Sequence, residues 1–277
     1  MKKISQYIKN ELLHDFQVNN RKGLYATMQK MMAYNSNRIE GSTLTSEQTA
    51  SLFDTGALVS NGVEIYHAKD IEEMTGHFRM FNYMLKHVDE PLSIELIKAY
   101  HYQLKAGVFE DMANGYPVGE FKNRTNRVSD IQTVKPSDVA GAMDELVKKY
   151  NHSLKTLQDI ASFHTEYEKI HPFQDGNGRT GRMILLKQCL KDELIPIIVK
   201  DESKLLYYKA LHEAQTEGKI SSLITYFVQC QKEFLREIDD FLECVPKEVE
   251  RKPLDELIKE IEKPTMKEVN YDIEEEL

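Results

Sequence analysis

Apolar side chains recur at intervals of three and four residues along most of the chain. This spacing runs through residues 93–104, 139–150, 155–170, 203–214 and 220–241, and it is typical of helices that bury one face. The alternation of short strands with helices that builds a doubly wound parallel sheet does not occur in the sequence. The pattern therefore predicts an all-α fold.

One stretch, residues 115–137, departs from this spacing. It contains two glycines and two prolines and follows no helical period. Residues 128–131 and 133–134 could serve as the arms of a short β-hairpin, but a plain loop explains the composition equally well. The sequence alone leaves both interpretations open.

The C-terminal part, residues 245–277, is more acidic than the rest, with six basic and eleven acidic residues. After Pro253, the apolar residues of 254–261 are spaced for one short amphipathic helix with proline in its first turn. This helix could dock on the body of the protein or on a partner. We therefore divide the chain into a main domain, residues 1–244, and an acidic tail, residues 245–277.

Charge and hydropathy restrict the partners. The formal net charge is −9, with 36 basic and 45 acidic residues, which argues against a broad nucleic-acid surface. The N-terminus has no apolar stretch behind its two lysines, and apolar runs such as residues 195–199 are too short to span a bilayer. The sequence therefore predicts a cytoplasmic protein without nucleic-acid or membrane partners.

The cysteines and histidines show no ligand spacing. We expect the three cysteines to be buried as small apolar residues; they are Cys189, Cys230 and Cys244. We expect five histidines to occupy packing or surface positions; they are His67, His77, His87, His101 and His164.

The most informative segment is His-Pro-Phe-Gln-Asp-Gly-Asn-Gly-Arg-Thr-Gly-Arg, residues 171–182. Pro172 should end the preceding helix, and residues 176–178 should form a tight turn before a second helix. The N–H groups at such a helix start form an anion site. Arg179 and Arg182, three residues apart, add guanidinium groups that suit a polyphosphate.

Two further side chains of this segment suit chemistry on a nucleotide. Asp175 offers an oxygen ligand for Mg²⁺, which typically takes one or two carboxylates together with substrate phosphates. His171 stands just before the turn, where an imidazole can accept a proton near neutral pH. The segment therefore predicts an enzyme that transfers part of a nucleotide.

Three other motifs match the segment only in part. Residues 176–181 fit the dinucleotide pattern G-x-G-x-x-G, but no strand is predicted before them. A P-loop requires Lys-Ser/Thr where residues 182–183 are Arg-Met. A calcium loop that starts at Asp175 requires glycine at its sixth position, which is Thr180.

The complete segment resembles the signature of the Fic family, H-x-F-x-[D/E]-G-N-G-R-x-x-R, at every fixed position. Those positions are His171, Phe173, Asp175, Gly176, Asn177, Gly178, Arg179 and Arg182. The resemblance extends from about Ser36 to Glu243 in the order of helices and in the irregular stretch before the signature. It implies an all-helical Fic-type domain with a short β-hairpin, the flap, before the signature loop.

Fic proteins mostly transfer AMP from ATP to a hydroxyl group of a protein side chain, and the resemblance implies roles for the signature residues. His171 would be the base that deprotonates the target Ser, Thr or Tyr. Asp175 would hold Mg²⁺ against the α- and β-phosphates, Arg182 would hold the γ-phosphate, and Phe173 would be a buried anchor. Further ATP contacts are expected from Asn177, Gly178, Arg179, Gly181, Tyr208 and Gln215.

Residues 119–136 occupy the place of the family's flap, which clamps the target segment. The edge of this flap could add the target chain as an extra strand and so position its hydroxyl group. Lys122 stands where the family often has arginine; it keeps the charge but not the fork geometry, and we assign it no role. Tyr207 and Tyr208 begin a helix that borders the adenine in relatives.

Residues 36–41, Ser-Asn-Arg-Ile-Glu-Gly, resemble the family's inhibitory motif, [S/T]-x-x-x-E-[G/N]. Ser36 and Glu40 are four residues apart on a helix of about residues 24–41 that Gly41 can terminate. In relatives this glutamate pairs with the second arginine of the signature, here Arg182, at the position of the γ-phosphate. The resemblance therefore implies a self-inhibited enzyme of the class with an N-terminal inhibitory helix.

The leading prediction is a self-inhibited protein adenylyltransferase that uses ATP and Mg²⁺ to modify a target protein, with the enzyme itself as a second candidate target. The same site could instead remove AMP, with Glu40 positioning water, or transfer another nucleotide. A nucleotide-sensing adaptor without catalysis is less favoured, because a binder has no need of His171 as a base. Since relatives often dimerise, a homodimer is a candidate assembly.

Overall fold

The computed structural model describes residues 1–58, 65–128, 131–243 and 253–269. These residues form thirteen α-helices and one two-stranded antiparallel sheet, which confirms the predicted all-α fold. The helices are α1 (Lys2–Gln17), α2 (Leu24–Ile39), α3 (Ser46–Thr55), α4 (Ala68–Lys86), α5 (Ile94–Lys105), α6 (Phe109–Asn114), α7 (Val139–Asn151), α8 (Leu157–Ile170), α9 (Asn177–Lys191), α10 (Lys204–Glu217), α11 (Ile220–Glu237), α12 (Asp239–Leu242) and α13 (Leu254–Val269).

Helix α9 lies at the centre of the molecule. Its residues Met183, Ile184, Leu185 and Leu186 are at most 1% exposed, and α2, α4, α5 and α8 all pack against it. The buried residues of α9 also include Arg179, Arg182 and Lys187, so the helix is surrounded by protein on every side. The first turn of α9, which carries the signature residues, is thereby fixed to the rest of the core.

Helix α8 ends before Pro172 as predicted, but α9 begins at Asn177, so that residues 177–178 belong to its first turn and not to a separate turn of residues 176–178. A capping box between Thr156 and Asp159 starts α8, which satisfies the free N–H groups of its first turn. His171 ends α8 with φ 52°, in the left-handed region. Gly176, with φ 78°, precedes α9. Two left-handed residues therefore reverse the chain and place His171 close to the start of α9.

Helix α2 ends where the inhibitory motif predicts. Glu40 is its C-terminal cap residue, and Gly41 follows with φ 96°, a conformation that favours glycine. The N–H group of Ser42 then donates to the carbonyl of Asn37 over 3.0 Å. The end of α2 is thus a closed turn, from which the Glu40 side chain extends toward α9.

The irregular stretch contains a hairpin with arms shorter than predicted. Strands β1 (Arg127–Val128) and β2 (Ile131–Gln132) pair Arg127 with Gln132 and Val128 with Ile131. The predicted arms, residues 128–131 and 133–134, were therefore misplaced, because Ile131 belongs to the second strand. Residues 129–130 lie outside the described residues.

The tail helix docks on the body of the protein. Helix α13 begins at Leu254, directly after Pro253, and runs to Val269, further than the predicted short helix. Leu257 and Ile261 are buried, and α13 packs against α11. The first of the two predicted docking alternatives is therefore the one observed. Residues 244–252 and 270–277 lie outside the described residues.

Two remaining expectations concern cysteines and membranes. Cys189 and Cys230 are free thiols and both are buried; Cys244 lies outside the described residues. Over the described ranges, no helix combines the length and the apolar character needed to cross a bilayer.

Candidate active site

A cavity of about 510 Å³ opens beside the first turn of α9, a size typical of small-molecule sites. Residues from α2, α8, α9 and α10 line it, together with Ile131 of the hairpin. The predicted site residues among its lining are Glu40, His171, Gly178, Arg182, Tyr208 and Gln215. Residues that are distant in sequence thus meet around one cavity.

The start of α9 presents a site for an anion. The first helical bond at this end runs from the N–H group of Thr180 to the carbonyl of Gly176, over 3.0 Å. The N–H groups of residues 177–179 precede that bond and have no partner within the helix. A Cβ atom on Gly178 would lie 2.3 Å from Oε1 of Glu40. Glycine at this position therefore lets a negatively charged group approach the backbone closely.

His171 faces the cavity from the end of α8. Its Nδ1 is buried and lies 3.9 Å from Oε2 of Glu168, so that Nε2 is the nitrogen left for a ligand. Burial, and then the positive charge of Lys122, lower the pKa of His171 to about 4. The imidazole is therefore neutral at physiological pH, which is the form that a general base requires.

Glu168, which sequence reasoning missed, is a buried carboxyl group in the cavity wall. Its Oε1 atom is buried without a hydrogen-bond partner. Burial raises the pKa of Glu168 to about 7, while the charge of Arg182 opposes that rise. The side chain lies one turn before His171 on α8, and that spacing was the only signal available in the sequence.

Asp175 is a partly exposed carboxylate at the entrance to the anion site. Its Oδ2 accepts a bond of 2.7 Å from Lys105 Nζ, and its Oδ1 accepts one of 2.7 Å from the N–H group of Gly176. Burial alone would raise the pKa of Asp175, but the charges of Arg179 and Lys105 hold it well below its usual range. The group is therefore ionised and keeps free lone pairs on both oxygens.

These properties fit a magnesium ion that is bound together with phosphate. Among the described residues, no group of three or more His, Cys, Asp or Glu side chains is arranged to hold a metal ion. Mg²⁺ typically uses one or two carboxylates and takes its other ligands from water and substrate phosphates. The single carboxylate of Asp175 beside the anion site suits that mode of binding.

Three residues that were predicted to contact ATP, Asn177, Arg179 and Gly181, are buried within the protein, and their contacts with ATP stay predictions. The guanidinium of Arg179 is buried and forms ion pairs with Glu73 of α4 and, over 3.6 Å, with Oδ1 of Asp175. The Asn177 side chain closes on the backbone of Phe173, with bonds of 2.7 and 2.8 Å. Gly181 faces α8, where a Cβ atom would lie 2.4 Å from Glu168 Oε1. These three residues brace the loop and the helix packing.

Arg182 joins α9 to the inhibitory motif. Its Nη2 donates to Glu40 Oε1 over 2.6 Å and to the carbonyl of Ser36 over 3.0 Å. Its Nε donates to Ser36 Oγ over 2.9 Å. The guanidinium is buried, whereas the Glu40 side chain is 32% exposed. The structure thus brings Ser36 and Glu40 together with Arg182, the arginine with which Glu40 was expected to pair.

Helix α10 forms the wall opposite His171. Tyr207 is buried and its hydroxyl group lies 2.8 Å from Nε2 of His164. Tyr208 is 43% exposed, and its hydroxyl group donates to the carbonyl of Ile39 over 3.5 Å. Gln215 lines the same wall two turns later. An aromatic ring and a carboxamide therefore stand where a planar base could pack.

His101 of α5 connects the flap segment, residues 119–136, to the signature loop. Its Nε2 donates to the carbonyl of Asp175 over 3.0 Å, and its Nδ1 accepts the N–H group of Gly119 over 2.9 Å. The ring stacks on Phe173 with centroids 3.9 Å apart. The sequence predicted only a packing or surface position for this histidine, because the bonds join three segments distant in the chain.

Comparison with known proteins finds similar sequences. Residues 91–189 match the model of the Fic/DOC family. The chain is 27% identical over 215 residues to a protein adenylyltransferase Fic of Nematostella vectensis, covering 76% of this chain and 48% of that protein. It is 30% identical over 206 residues to a protein adenylyltransferase Fic of Drosophila willistoni, covering 73% of this chain and 40% of that protein. The chain thus spans less than half the length of these curated relatives.

Solved structures show the same fold. A Fic domain containing signaling protein from Bacteroides thetaiotaomicron superimposes with a TM-score of 0.65 at 23% identity, over 81% of this chain and 92% of that chain. Residues 134–508 of Fic-1 from Caenorhabditis elegans superimpose with a TM-score of 0.64 at 20% identity, over 87% of this chain and 73% of that chain. At these identities the likeness describes the fold.

Proposed function

Because the chain has the all-α Fic fold and residues 91–189 form a Fic/DOC domain, we propose that it is a self-inhibited protein adenylyltransferase. The substrate is ATP, and the acceptor is a Ser, Thr or Tyr hydroxyl of a target protein. The observation that carries this proposal is the cavity lined by a neutral His171 and by Gly178 of the first turn of α9. The ionised Asp175 directly precedes Gly176, the N-cap residue of α9.

The proposed reaction is an in-line displacement at the α-phosphorus of ATP. The hydroxyl oxygen of the target forms a bond to that phosphorus, and its proton passes to Nε2 of His171. The bond from the α-phosphorus to the oxygen that bridges to the β-phosphate breaks, and pyrophosphate leaves. Positioning and charge neutralisation supply most of the catalysis in such reactions.

Different residues at this site suit different parts of the ATP molecule. The N–H groups at the start of α9 suit the phosphates, and Tyr208 with Gln215 suits the base. Asp175 would hold Mg²⁺, which neutralises phosphate charge when bound. The flap hairpin, with Ile131 in the cavity lining, is the proposed docking edge for the target segment.

Inhibition is proposed to act through Arg182. An arginine at this end of the anion site suits the γ-phosphate, but Glu40 holds its guanidinium at 2.6 Å. The carboxylate also lies 2.3 Å from the place of a Cβ atom on Gly178. A terminal phosphate cannot share that space with Glu40, because both groups are negatively charged.

Intact mass spectrometry tests this proposal without a known target. The protein is incubated with ATP and Mg²⁺ as wild type, as Glu40→Gly and as the double variant Glu40→Gly/His171→Ala. The proposal expects the mass of one AMP group to appear on Glu40→Gly and on neither of the other two proteins. Equal labelling of the wild type would contradict self-inhibition, and labelling of the double variant would contradict the role of His171.

Two further arms separate the alternatives. Incubation with each of the other nucleoside triphosphates shows whether a different mass is transferred, which would replace ATP as the substrate. A peptide that carries an AMP-modified threonine, incubated with the wild-type protein, reports removal of AMP. Loss of that AMP with wild type but not with Glu40→Gly would favour a hydrolase in which Glu40 positions water.

A further inference from the structure

Lys122 is a buried lysine that contacts the flap segment on both sides of the hairpin and also the end of α8, next to His171. It is 3% exposed. Its Nζ donates to Asn126 Oδ1 over 2.7 Å, to Thr133 Oγ1 over 2.8 Å and to the carbonyl of Ile170 over 3.3 Å. An ammonium group has three donors, and all three are used. The last acceptor belongs to the residue directly before His171.

Neighbouring bonds continue this junction along the loop. The N–H group of Lys122 donates to the carbonyl of Pro172 over 2.9 Å. The Asn126 amide donates to the carbonyl of Phe173 over 3.0 Å, and the N–H group of Arg124 donates to Gln174 Oε1 over 3.3 Å. The first arm of the flap therefore lies along the residues that carry His171. Movement of either segment would break these bonds.

The charge of Lys122 is not neutralised by any of these contacts, because its three acceptors are uncharged oxygens. Burial lowers the pKa of Lys122 to about 8, and the group still carries its proton at neutral pH. Over residues 1–58, 65–128, 131–243 and 253–269, no carboxylate forms an ion pair with Lys122, and a buried ammonium group without such a partner is unfavourable for folding. An uncharged donor could also have formed hydrogen bonds to these three neutral oxygens. The positive charge of Lys122 therefore requires a separate explanation.

The charge acts on His171. The groups that face His171 are Lys122 from the flap, Glu168 from α8, Glu40 from α2 and Asp175 from the loop. Lys122 supplies the positive charge among them, and a positive charge close to an imidazole disfavours the imidazolium form. The three acidic groups act in the opposite direction. Lys122 thus counteracts the carboxyl groups that would otherwise favour protonation of the histidine.

We propose that Lys122 is a positioning residue that ties the flap to the carbonyl before His171 and whose charge, together with burial, opposes protonation of the His171 imidazole. The inference rests on the proposed function in one respect, namely that His171 acts as a base. The flap and the base are then set by the same ammonium group. A target segment that docks on the flap edge meets a histidine whose position is fixed relative to that edge.

Titration of His171 by NMR tests this inference apart from catalysis. The imidazole signals are assigned by their absence in His171→Ala and are followed with pH in wild type, Lys122→Met and Lys122→Arg. We expect the midpoint of His171 to rise by roughly one pH unit in Lys122→Met and to stay low in Lys122→Arg. Thr133→Val serves as a matched control, because it removes one acceptor and leaves the charge, and its midpoint should stay low.

The outcomes separate the charge from the bonds. An unchanged midpoint in Lys122→Met would overturn the proposed effect on His171, and so would an equal rise in Lys122→Met and Lys122→Arg. Hydrogen exchange of the Lys122 N–H group should speed up in Lys122→Met, and an unchanged rate would overturn the role as a tie. If Glu40→Gly transfers no AMP, the proposed function fails, whereas these two measurements still decide the inference.

In a Glu40→Gly background with measurable transfer, the two roles also differ in kinetics. Loss of the tie should raise KM for the target protein, whereas a raised midpoint of His171 should move the acid limb of the pH profile upward. Lys122→Arg should restore the pH profile but not the full affinity for the target. A loss of kcat with no change in the pH profile or in KM would indicate general damage to the fold and would overturn the proposal.

Discussion

The guanidinium of Arg182 donates to Oε1 of Glu40 over 2.6 Å, and this bond joins the central helix to the end of α2. Glu40 is the cap residue at the C-terminus of α2, where a negative charge is unfavourable for the helix dipole. Arg182 offsets that cost. The arginine is buried and the glutamate is partly exposed. Removal of Glu40 therefore leaves a buried positive charge without its counter-ion.

This asymmetry predicts a change in stability that ATP reverses. Glu40→Ala should lower the free energy of unfolding by about 1–3 kcal/mol, since the buried guanidinium of Arg182 loses a charged acceptor. ATP should restore more stability in the variant than in the wild type, because its phosphates can take the place of the carboxylate. Urea unfolding with and without ATP measures both effects. Glu145→Ala, at an exposed position of α7, is the matched control. Its free energy of unfolding should equal that of the wild type both with and without ATP. A larger gain from ATP in the wild type would contradict the proposed competition.

The pH dependence of transfer should reflect the lowered pKa of His171. A general base must be unprotonated, and a pKa of about 4 leaves His171 unprotonated above that value. An ordinary histidine would lose activity as the pH falls below its usual value of about 6.5. We therefore expect kcat/KM of Glu40→Gly to show no acid limb near the ordinary histidine pKa. An acid limb at about pH 6.5 would contradict this prediction if it persisted in both Glu168→Gln and Lys122→Arg. Neither Glu168 nor Lys122 would then be the titrating group, and His171 would have an ordinary pKa.

Local sequence signals were sufficient for the helices and for the corner at α8 and α9. The spacing of apolar residues located α5, α7, α8, α10 and α11 to within a few residues, since each buries one face. Pro172 and Gly176 fixed the turn, because both act through their own backbone conformation. These elements depend on residues that are close together in the chain.

The missed residues depend on contacts between distant segments. Lys105 meets Asp175, which is 70 residues away, and Arg182 meets Glu40, which is 142 residues away. The second contact was predicted only because the family resemblance supplied it. The ion pair of Arg179 was missed for the same reason: periodicity gives the face of a helix, but the partner of the guanidinium is Glu73 of α4.

The raised pKa of Glu168 predicts that its substitution stabilises the protein at higher pH. The pKa of Glu168 is about 7 in the folded state, against an ordinary value of 4.5. Its protonated form therefore stabilises the fold to the full extent below the lower of these two pKa values. That contribution is lost as the pH rises through the folded pKa. Glu168→Gln should therefore unfold with a free energy up to about 3 kcal/mol higher than wild type above neutral pH, and the gain should vanish near pH 5.

Urea unfolding at the two pH values measures this difference. Glu166→Gln is the matched control, because Glu166 is exposed on the same helix two residues earlier, and it should show no pH-dependent gain. Glu168→Gln that is less stable than wild type at both pH values would show that the ionised carboxylate is favourable where it lies. The attraction between the carboxylate and the positive charge of Arg182 would then outweigh the cost of burial.

The last prediction concerns Lys105, the cation beneath the signature loop. It forms ion pairs of 2.5, 2.9 and 2.7 Å with Glu73, Asp111 and Asp175, and it is 1% exposed. Lys105→Met keeps the apolar stem but leaves Glu73 and Asp111 buried without that charge. Such a loss should lower the free energy of unfolding by about 3–5 kcal/mol at neutral pH.

The deficit should shrink as the pH falls. Burial would raise the pKa of Glu73, but Arg179 and Lys105 lower it, so in the wild type its contribution to stability is present above the unfolded pKa and is lost in acid. In Lys105→Met the carboxyl groups are protonated at higher pH, and their burial then costs less. Unfolding curves of both proteins from neutral pH down to about pH 4 measure the difference. Lys148→Met, which removes an exposed lysine paired with Asp144, should match the wild type throughout. A deficit that grows as the pH falls would show that Lys105 stabilises the fold by packing and not by its charge.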